Sequence, residues 1–371
     1  METKEDRWRR FGAIVVRLTR GEDITREEAR DCWRQICEEE QSDLQQGAFI
    51  AALKAKPETP EEVAGAFDAL YQYDTLKVEV VTPEPLIDNC GTGADSLKTL
   101  NISTGAAIIG ASLGLYVVRH AARAISSNCG AIDVIEALGV NVESAPEVPK
   151  KSIENAGICA WNAFLPKVHP KTLARVLSQI RFGSTINLVG PLLNPTQPAF
   201  KVMGVPTLEM IGIEAQTLQA LKFKRAFVMH GLEDESGKGM DEVSILGTTH
   251  VAELDEAGTI RNYTLTPEQF GLKRARYEEI ASSRNVQRDA LALLKVLAGR
   301  DKGPRLDVIC FNAAPLLYIA GKAATLQEGL EMARAAVAAG KALEKLRDWV
   351  SWQNEKPEDG LPVLEKMLGQ L

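Results

Sequence analysis

The sequence predicts an α/β protein in two parts. A small all-helical domain covers residues 1–75, and a larger domain over 76–371 has a mainly parallel sheet surrounded by helices. Three observations predict this. The first part carries apolar side chains at helical spacing, with a capping signal ahead of its helices. From about residue 78, short apolar runs alternate with helical stretches, as strand–helix–strand crossovers require. At 371 residues the chain is also long enough for one large core and a satellite.

Trp8, Phe11, Val15 and Leu18 share one helical face, and Gly21 ends that stretch. Thr25-Arg26-Glu27-Glu28 is a capping box, followed by Ala29, Cys32, Trp33, Ile36 and Cys37 on one face. Ser42 caps a third helix with Leu44, Ala48, Phe49 and Ala52, and Thr59-Pro60-Glu61-Glu62 opens a fourth with proline at its first position. The Trp and Phe stripes suit a dimer face or simply a core, and core alone is the more frequent explanation. The strand candidates are Val78–Val81, Leu86–Cys90, Leu115–Val118, Ile158–Trp161, Phe200–Val205, Arg225–His230 and His250–Leu254. Helices such as Ile132–Leu138 and Thr207–Leu221 fall between them, and Val286–Val350 returns to helix. Gly231–Gly239 (GLEDESGKG) reads as a charged loop, and 351–371 as a short helical tail.

Apolar content of 45% and charged content of 25% are those of an ordinary globular protein. A net charge of −7 argues against general nucleic-acid or anionic-membrane binding. The charged start, Met1-Glu2-Thr3-Lys4-Glu5-Asp6, and the lack of a long apolar run predict a cytoplasmic protein. Six cysteines are scattered without CxxC or CxxH spacing, which points to buried thiols rather than zinc or disulfides.

The chemistry concentrates between Leu86 and Val142. An apolar run ends at Asp88-Asn89-Cys90 and breaks into Gly91-Thr92-Gly93-Ala94-Asp95. Asn101-Ile102-Ser103-Thr104 opens a small-residue helix, a second run delivers Arg119, His120 and Arg123, and Ser126-Ser127 precede another helix. Glycines admit backbone N–H groups close to an anion, and helix starts add partial positive charge. Hydroxyls add donors and arginines add fixed charge. One GTG turn is equally a tight strand-to-helix connection; the whole set points to a phosphate ester. Farther on, Gly239-Met240-Asp241-Glu242-Val243-Ser244 places adjacent carboxylates after a strand. Such a pair suits a hard cation and is also common on solvated loops. His120 alone reads as a structural histidine, and Asn187–Pro195 (NLVGPLLNP) as a structural loop.

These segments resemble the anthranilate phosphoribosyltransferase family, whose pattern runs GTGGD, NIST, KHGNR and SSxxGS, with GMDEVS and NxxGPLxNP farther on. GEDITREEARDCW in the helical part and RLDVICFNAAPLLY near the end are also close to that family. The resemblance implies transfer of 5-phosphoribosyl from phosphoribosyl pyrophosphate (PRPP) to the amine of a small aromatic acceptor, anthranilate, in tryptophan biosynthesis. It implies a homodimer formed through the helical part, and no membrane or nucleic-acid partner. It implies PRPP contacts from Gly91, Thr92, Gly93, Asp95, Thr99, Asn101, Ser103, Thr104, Arg119, Arg123, Ser126 and Ser127. It implies Mg2+ on Ser103, Asp241 and Glu242, and an acceptor pocket at Gly91, His120, Ala122 and Leu177. No residue is assigned as a catalytic acid or base, because an unprotonated aromatic amine is already nucleophilic.

The pattern breaks at the acceptor end. KHGNR stands here as Arg119-His120-Ala121-Ala122-Arg123, so Ala122 replaces an asparagine that would hydrogen-bond the acceptor. Ala94 and Ala131 replace a glycine and a serine. Aligned on Asn187 and Gly190-Pro191, the arginine that would pair with the anthranilate carboxylate falls at Leu177. Arg175 and Arg181 lie nearby, and Arg175 does not share its helical face. The donor end is kept and the acceptor end rewritten, which leaves open a different acceptor or loss of turnover. A pyrimidine-nucleoside phosphorylase and a nucleic-acid-binding relative are the remaining alternatives.

Overall fold

The computed structural model describes residues 3–93, 95–123 and 129–371. Four helices open the chain: α1 (Lys4–Thr19), α2 (Arg26–Cys37), α3 (Asp43–Ala55) and α4 (Pro60–Asp74). Thr3, Thr25, Ser42 and Thr59 cap them, each side chain accepting a backbone N–H of the first turn. The aromatic stripes meet inside, with Phe49 5.3 Å from Phe11 and 5.9 Å from Trp33 between ring centres.

The larger part runs β1 (Leu86–Asp88), α5 (Ile102–Ser112), β2 (Tyr116–Ala121), α6 (Ala131–Ala137), α7 (Glu147–Ala156) and β3 (Ile158–Asn162). Helices α8 (Leu173–Ile180) and α9 (Thr185–Val189) then return to the helical bundle and pack into its core. Next come β4 (Phe200–Gly204), α10 (Leu208–Ala220), β5 (Arg225–Glu233), β6 (Lys238–Met240), β7 (Thr249–Leu254) and β8 (Ile260–Leu265). The chain ends in α11 (Tyr277–Ile280), α12 (Val286–Leu297), α13 (Pro304–Ile319), α14 (Leu326–Ala338), α15 (Lys341–Trp352) and α16 (Pro357–Leu368). No described helix is long and apolar enough to cross a membrane.

The sheet order is β3-β2-β1-β4-β5-β7-β8, with β6 also paired to β5. Strands β3 to β5 in that order are parallel, and β6 to β8 pair antiparallel. The order reverses between β1 and β4. In an open α/β sheet the crevice beyond the strand ends at such a reversal is where ligands bind.

Two expectations are corrected here. Val78–Val81 is extended but joins no strand, because both edges of β1 are taken by β2 and β4. Its N–H groups go instead to the Pro195 carbonyl (3.0 Å) and the Glu154 carboxylate (3.0 Å). Gly231–Gly239 is a hairpin rather than a loop, with Gly231 paired to Met240 and Glu233 to Lys238. Strand β8 has no counterpart among the strand candidates, since Ile260–Leu265 is a largely polar edge strand with little apolar alternation.

Under the β1–β4 reversal lies a buried ion pair, Lys201 Nζ to Asp88 Oδ2 at 3.0 Å. Lys201 also donates to the Pro191 carbonyl (2.6 Å), and Asn194 Nδ2 donates to Asp88 (3.1 Å) and to the Val118 carbonyl (3.2 Å). These bonds seat the Asn187–Pro195 turn on the sheet.

Nearby on α10, Glu214 is fully buried and neither carboxylate oxygen has a hydrogen-bond partner. Burial pushes it up to about 8 from its ordinary 4.5. The folded chain thus holds this proton more tightly than the unfolded chain. Its stabilising contribution is complete below about 4.5 and is lost as pH rises through about 8. Glu214→Gln removes that dependence. The urea midpoint of the variant should rise relative to the parent protein as pH increases across this window, and a constant difference would refute the assignment.

Candidate active site

The site lies where three backbone segments meet beyond the β1–β4 reversal. These are the Gly91–Gly93 turn after β1, the end of β4, and the acidic loop after β6. Glycine is required at two of these positions by close approach. A Cβ on Gly204 would lie 1.6 Å from the Asp241 carbonyl oxygen, and one on Gly91 would lie 2.8 Å from Asp241 Oδ2. Backbone bonds tie the segments together, from Thr92 N–H to the Gly204 carbonyl (3.1 Å) and from Leu97 N–H to that of Gly239 (3.1 Å). Gly93 N–H donates to Asp241 Oδ2 at 2.9 Å.

This junction gathers Asp95, Asp241 and Glu242, with one carboxylate oxygen from each within 4.8 Å of the others. All three carboxyls are displaced upward. Asp95 is pushed to about 7 by burial and then by the Asp241 charge, and Asp241 is raised by burial. Glu242 is raised well above its usual range by burial, then by Asp241 and Asp95. Its Oε2 is buried without a hydrogen-bond partner. Three desolvated carboxylates at this spacing suit a hard divalent cation, which would return them to the ionised form.

Of the other expected donor-side residues, Ser103 and Arg119 adjoin this cluster. Ser103 stands in the first turn of α5, where its backbone amide favours the ionised form of Glu242. Thr104 is wholly buried in the same turn, and its Oγ1, like that of Thr92, has no partner. Asn101 precedes α5 without capping it by its side chain. Thr99 forms an isolated bridge with Ala281, so it also braces the loop. Arg119 is buried beneath, donating to Asn89 Oδ1 (2.8 Å), the Ser103 carbonyl (2.7 Å) and Ser103 Oγ (3.2 Å), with Nε left unpartnered. Arg119 therefore orients the serine.

Arg123, expected at the phosphates, has acidic partners of its own. It is held by Asp133 (3.1 Å), Glu136 (2.8 Å) and Glu143 (2.8 Å), which occupy its guanidinium in a network with α6. Ser126 and Ser127 lie outside the described residues.

Because successive side chains on a strand point to opposite faces, His120 turns away from Arg119. His120 Nδ1 donates to the Gly190 carbonyl (3.1 Å), and its Nε2 meets His169 Nε2 at 2.9 Å. His169 Nδ1 is 3.1 Å from the Asp74 carbonyl at the end of α4. Burial lowers both rings, His120 well below its usual range and His169 to about 4. With both nitrogens occupied, His120 is no free base. Ala122 and Leu177 both pack on the apolar core of the helical part. Arg175 does not stand in for Leu177, since it bonds the Ile36 carbonyl (3.2 Å) and Gln46 Oε1 (3.0 Å). Arg181 is exposed and donates to its own helix at Ser178.

Sequence reasoning missed Asn89, Lys98, His169 and Gly204. Only Gly204 carried a signal, a glycine at a strand end facing the acidic motif.

A doubly wound sheet with acids, glycines and hydroxyls at its reversal suits a ligand rich in phosphate oxygens. Comparison with known proteins agrees. Residues 13–73 match the glycosyl transferase family, helical bundle domain, and residues 83–343 the glycosyl transferase family, a/b domain. The anthranilate phosphoribosyltransferase of Anaeromyxobacter dehalogenans (strain 2CP-C) is 38% identical over 340 residues, covering 91% of this chain and 97% of that protein. The Haloferax volcanii enzyme is 38% identical over 335 residues, covering 89% and 97%. The crystal structure of anthranilate phosphoribosyltransferase from Thermus thermophilus matches at a TM-score of 0.82 and 33% identity, covering 91% and 98%. The Saccharomyces cerevisiae enzyme in complex with PRPP and Mg shares the fold, at a TM-score of 0.78 and 24% identity over 92% and 98% of the chains. The chain belongs to the anthranilate phosphoribosyltransferase family and is a phosphoribosyltransferase.

Gly204→Ala must push the acidic loop off the sheet. It should weaken Mg2+ binding, read by calorimetry, by about 10–100-fold, the range for lost support of a metal site. Gly12→Ala, with nothing within 4 Å of the added methyl, should not. Equal affinities in the two variants would show that the close approach does not hold the site together.

Proposed function

We propose that the protein is a Mg2+-dependent transferase that moves 5-phosphoribosyl from PRPP to an aromatic amine held without an arginine–carboxylate pair. The observation that carries the donor half is the acidic cluster, with buried polar atoms lacking partners on the segments around it. These atoms are Thr92 Oγ1, Thr104 Oγ1, Arg119 Nε and Glu242 Oε2. A buried polar atom without a partner is costly, so several together call for a ligand rich in hydrogen-bonding oxygens. The yeast enzyme of the same fold, solved in complex with PRPP and Mg, supports the same ligands here.

In the reaction the acceptor nitrogen bonds the ribose anomeric carbon as the bond from that carbon to pyrophosphate breaks, and the nitrogen releases a proton. Asp241, Glu242 and Ser103 would hold the magnesium ion, which neutralises the departing pyrophosphate. The Gly91–Gly93 turn offers backbone N–H groups and the Thr92 and Thr104 hydroxyls offer further donors for phosphate oxygens. Arg119 fixes Ser103 and contributes positive charge beneath it. The chain's task is therefore mainly positioning and charge stabilisation. Release of the proton to water suffices, because neither His120 nitrogen is free.

The acceptor half rests on Leu177 and Ala122. An arginine that grips a carboxylate and an asparagine that hydrogen-bonds a ring substituent are both replaced by apolar groups. A desolvated charge partner is worth about 2–5 kcal/mol. An acceptor with no carboxylate at that position, or one held by shape, fits this wall better than anthranilate does.

Two measurements test the halves separately. Asp241→Ala combined with Glu242→Ala should abolish magnesium-dependent PRPP binding in calorimetry, and unaltered binding would remove the metal assignment. The parent protein should turn over anthranilate slowly in a fluorescence assay. Leu177→Arg should raise kcat/KM for anthranilate by at least about tenfold, a modest share of a buried partner's worth. Ordinary family-level turnover by the parent protein would sink the altered acceptor.

A further inference from the structure

One cation touches the acidic cluster from outside, and neither the donor nor the acceptor reading uses it. Lys98 lies between the Gly91–Gly93 turn and α5, and its Nζ donates to Asp95 Oδ1 at 3.0 Å. Its backbone is fixed, the carbonyl accepting from Ser282 N–H (2.9 Å) and from the Tyr277 hydroxyl (3.0 Å). The side chain is not, being 31% exposed and tethered by that single bond. Arg119, the other cation near the cluster, is buried and held by three hydrogen bonds. Of the two, Lys98 is the one free to leave. A lysine is suited to this, as a compact charge on a flexible stem.

The charge balance gives that freedom a consequence. In the ionised form that a cation needs, Asp95, Asp241 and Glu242 would carry three negative charges within one small volume, with Lys98 and Arg119 offsetting two of them. An arriving divalent cation is then repelled by Lys98 at short range and attracted by a cluster already largely neutralised. A pyrophosphate group changes both terms. It brings negative charge to the metal, and it offers Lys98 oxygens that draw the ammonium away from Asp95.

Resting on the reading of this cluster as the metal site, we propose that Lys98 is a tethered counter-ion that makes divalent-cation binding depend on the arrival of a polyanion. Lys98 thereby sets the order of assembly at the donor site without itself holding the metal. It also keeps the carboxylate cluster from filling with adventitious cations between turnovers.

The test is Mn2+ binding to the intact protein, followed by the electron paramagnetic resonance of free Mn2+, with and without inorganic pyrophosphate. Lys98→Met keeps the stem and removes the charge, and Lys98→Arg keeps the charge. Without anion, the Met variant should bind Mn2+ about tenfold more tightly than the parent, as loss of one nearby like charge requires. The Arg variant should match the parent. The gain in Mn2+ affinity on adding pyrophosphate should shrink in the Met variant alone. Equal or weaker Mn2+ binding by the Met variant overturns the proposal, the weaker case meaning that Lys98 only clamps Asp95 in place. The Asp241→Ala, Glu242→Ala double variant separates the failures. If it loses Mn2+ while Lys98→Met is unchanged, only the counter-ion role falls. If it binds Mn2+ like the parent, the metal site and the counter-ion fall together.

Discussion

The end of β4 and the acidic loop touch backbone to backbone, with no room at Gly204 for a single methyl group. Everything at the donor site depends on that contact. It places Asp241 against the turn that follows β1, so that Gly93 N–H bonds its carboxylate. It brings together carboxylates at positions 95 and 241, far apart in the chain, which share nothing in local sequence. A side chain between the segments would push Asp241 away from that turn. The hairpin of β5 and β6 makes the approach possible by carrying the loop back over the sheet end, and Ser96 fastens it through bonds of 3.0 Å to both polar groups of Gly239.

The second organising feature is strand β2, whose pleat separates two kinds of chemistry. Arg119 faces α5 and works on Ser103, while His120 faces the helical part through Gly190 and His169. The Asp88–Lys201 pair serves both sides. It lies at the ends of β1 and β4 and grips the Pro191 carbonyl, so the turn that His120 contacts is anchored to the strand that delivers Gly91. A buried ion pair is weak evidence of stability by itself. Here its geometric role is plain, because its hydrogen bonds connect three segments that must keep register.

Much of this was legible in the sequence, and the failures have physical causes. The helical part was readable because Thr3, Thr25, Ser42 and Thr59 announce their helices by local hydrogen bonds. The GTG turn, NIST and Asp241-Glu242 stood out because phosphate and metal chemistry would ask for such residue types, and the fold brings the turn and the acids together. Val78–Val81 misled because alternation reports a half-buried segment, whereas joining a sheet needs a free edge. The Gly231–Gly239 hairpin and β8 were missed because edge strands with polar faces carry little periodic signal. His169 could not be found, since its partner is 49 residues away and only the fold brings them together. The acidic partners of Arg123 were hidden too: Glu136 and Glu143 stand 13 and 20 residues on, and the motif gave no hint of them.

The division between the two cores explains how one end of such an enzyme can change while the other stays fixed. Ala122 and Leu177 pack against the helical core, with α8 delivering Leu177, whereas the carboxylate cluster is carried by loops anchored on the sheet and its larger core. Asp74, at the end of α4, accepts from the N–H groups of Lys171, Thr172 and Leu173 and so sets the start of α8 from the helical side. Replacing a charged side chain by leucine on α8 therefore adds apolar contact to the helical core and leaves Gly204 and Asp241 untouched. On the proposed reading, the cost of losing a carboxylate's partner falls on acceptor binding and does not reach the pyrophosphate end. Substitution at the acceptor wall is thus compatible with an intact donor site.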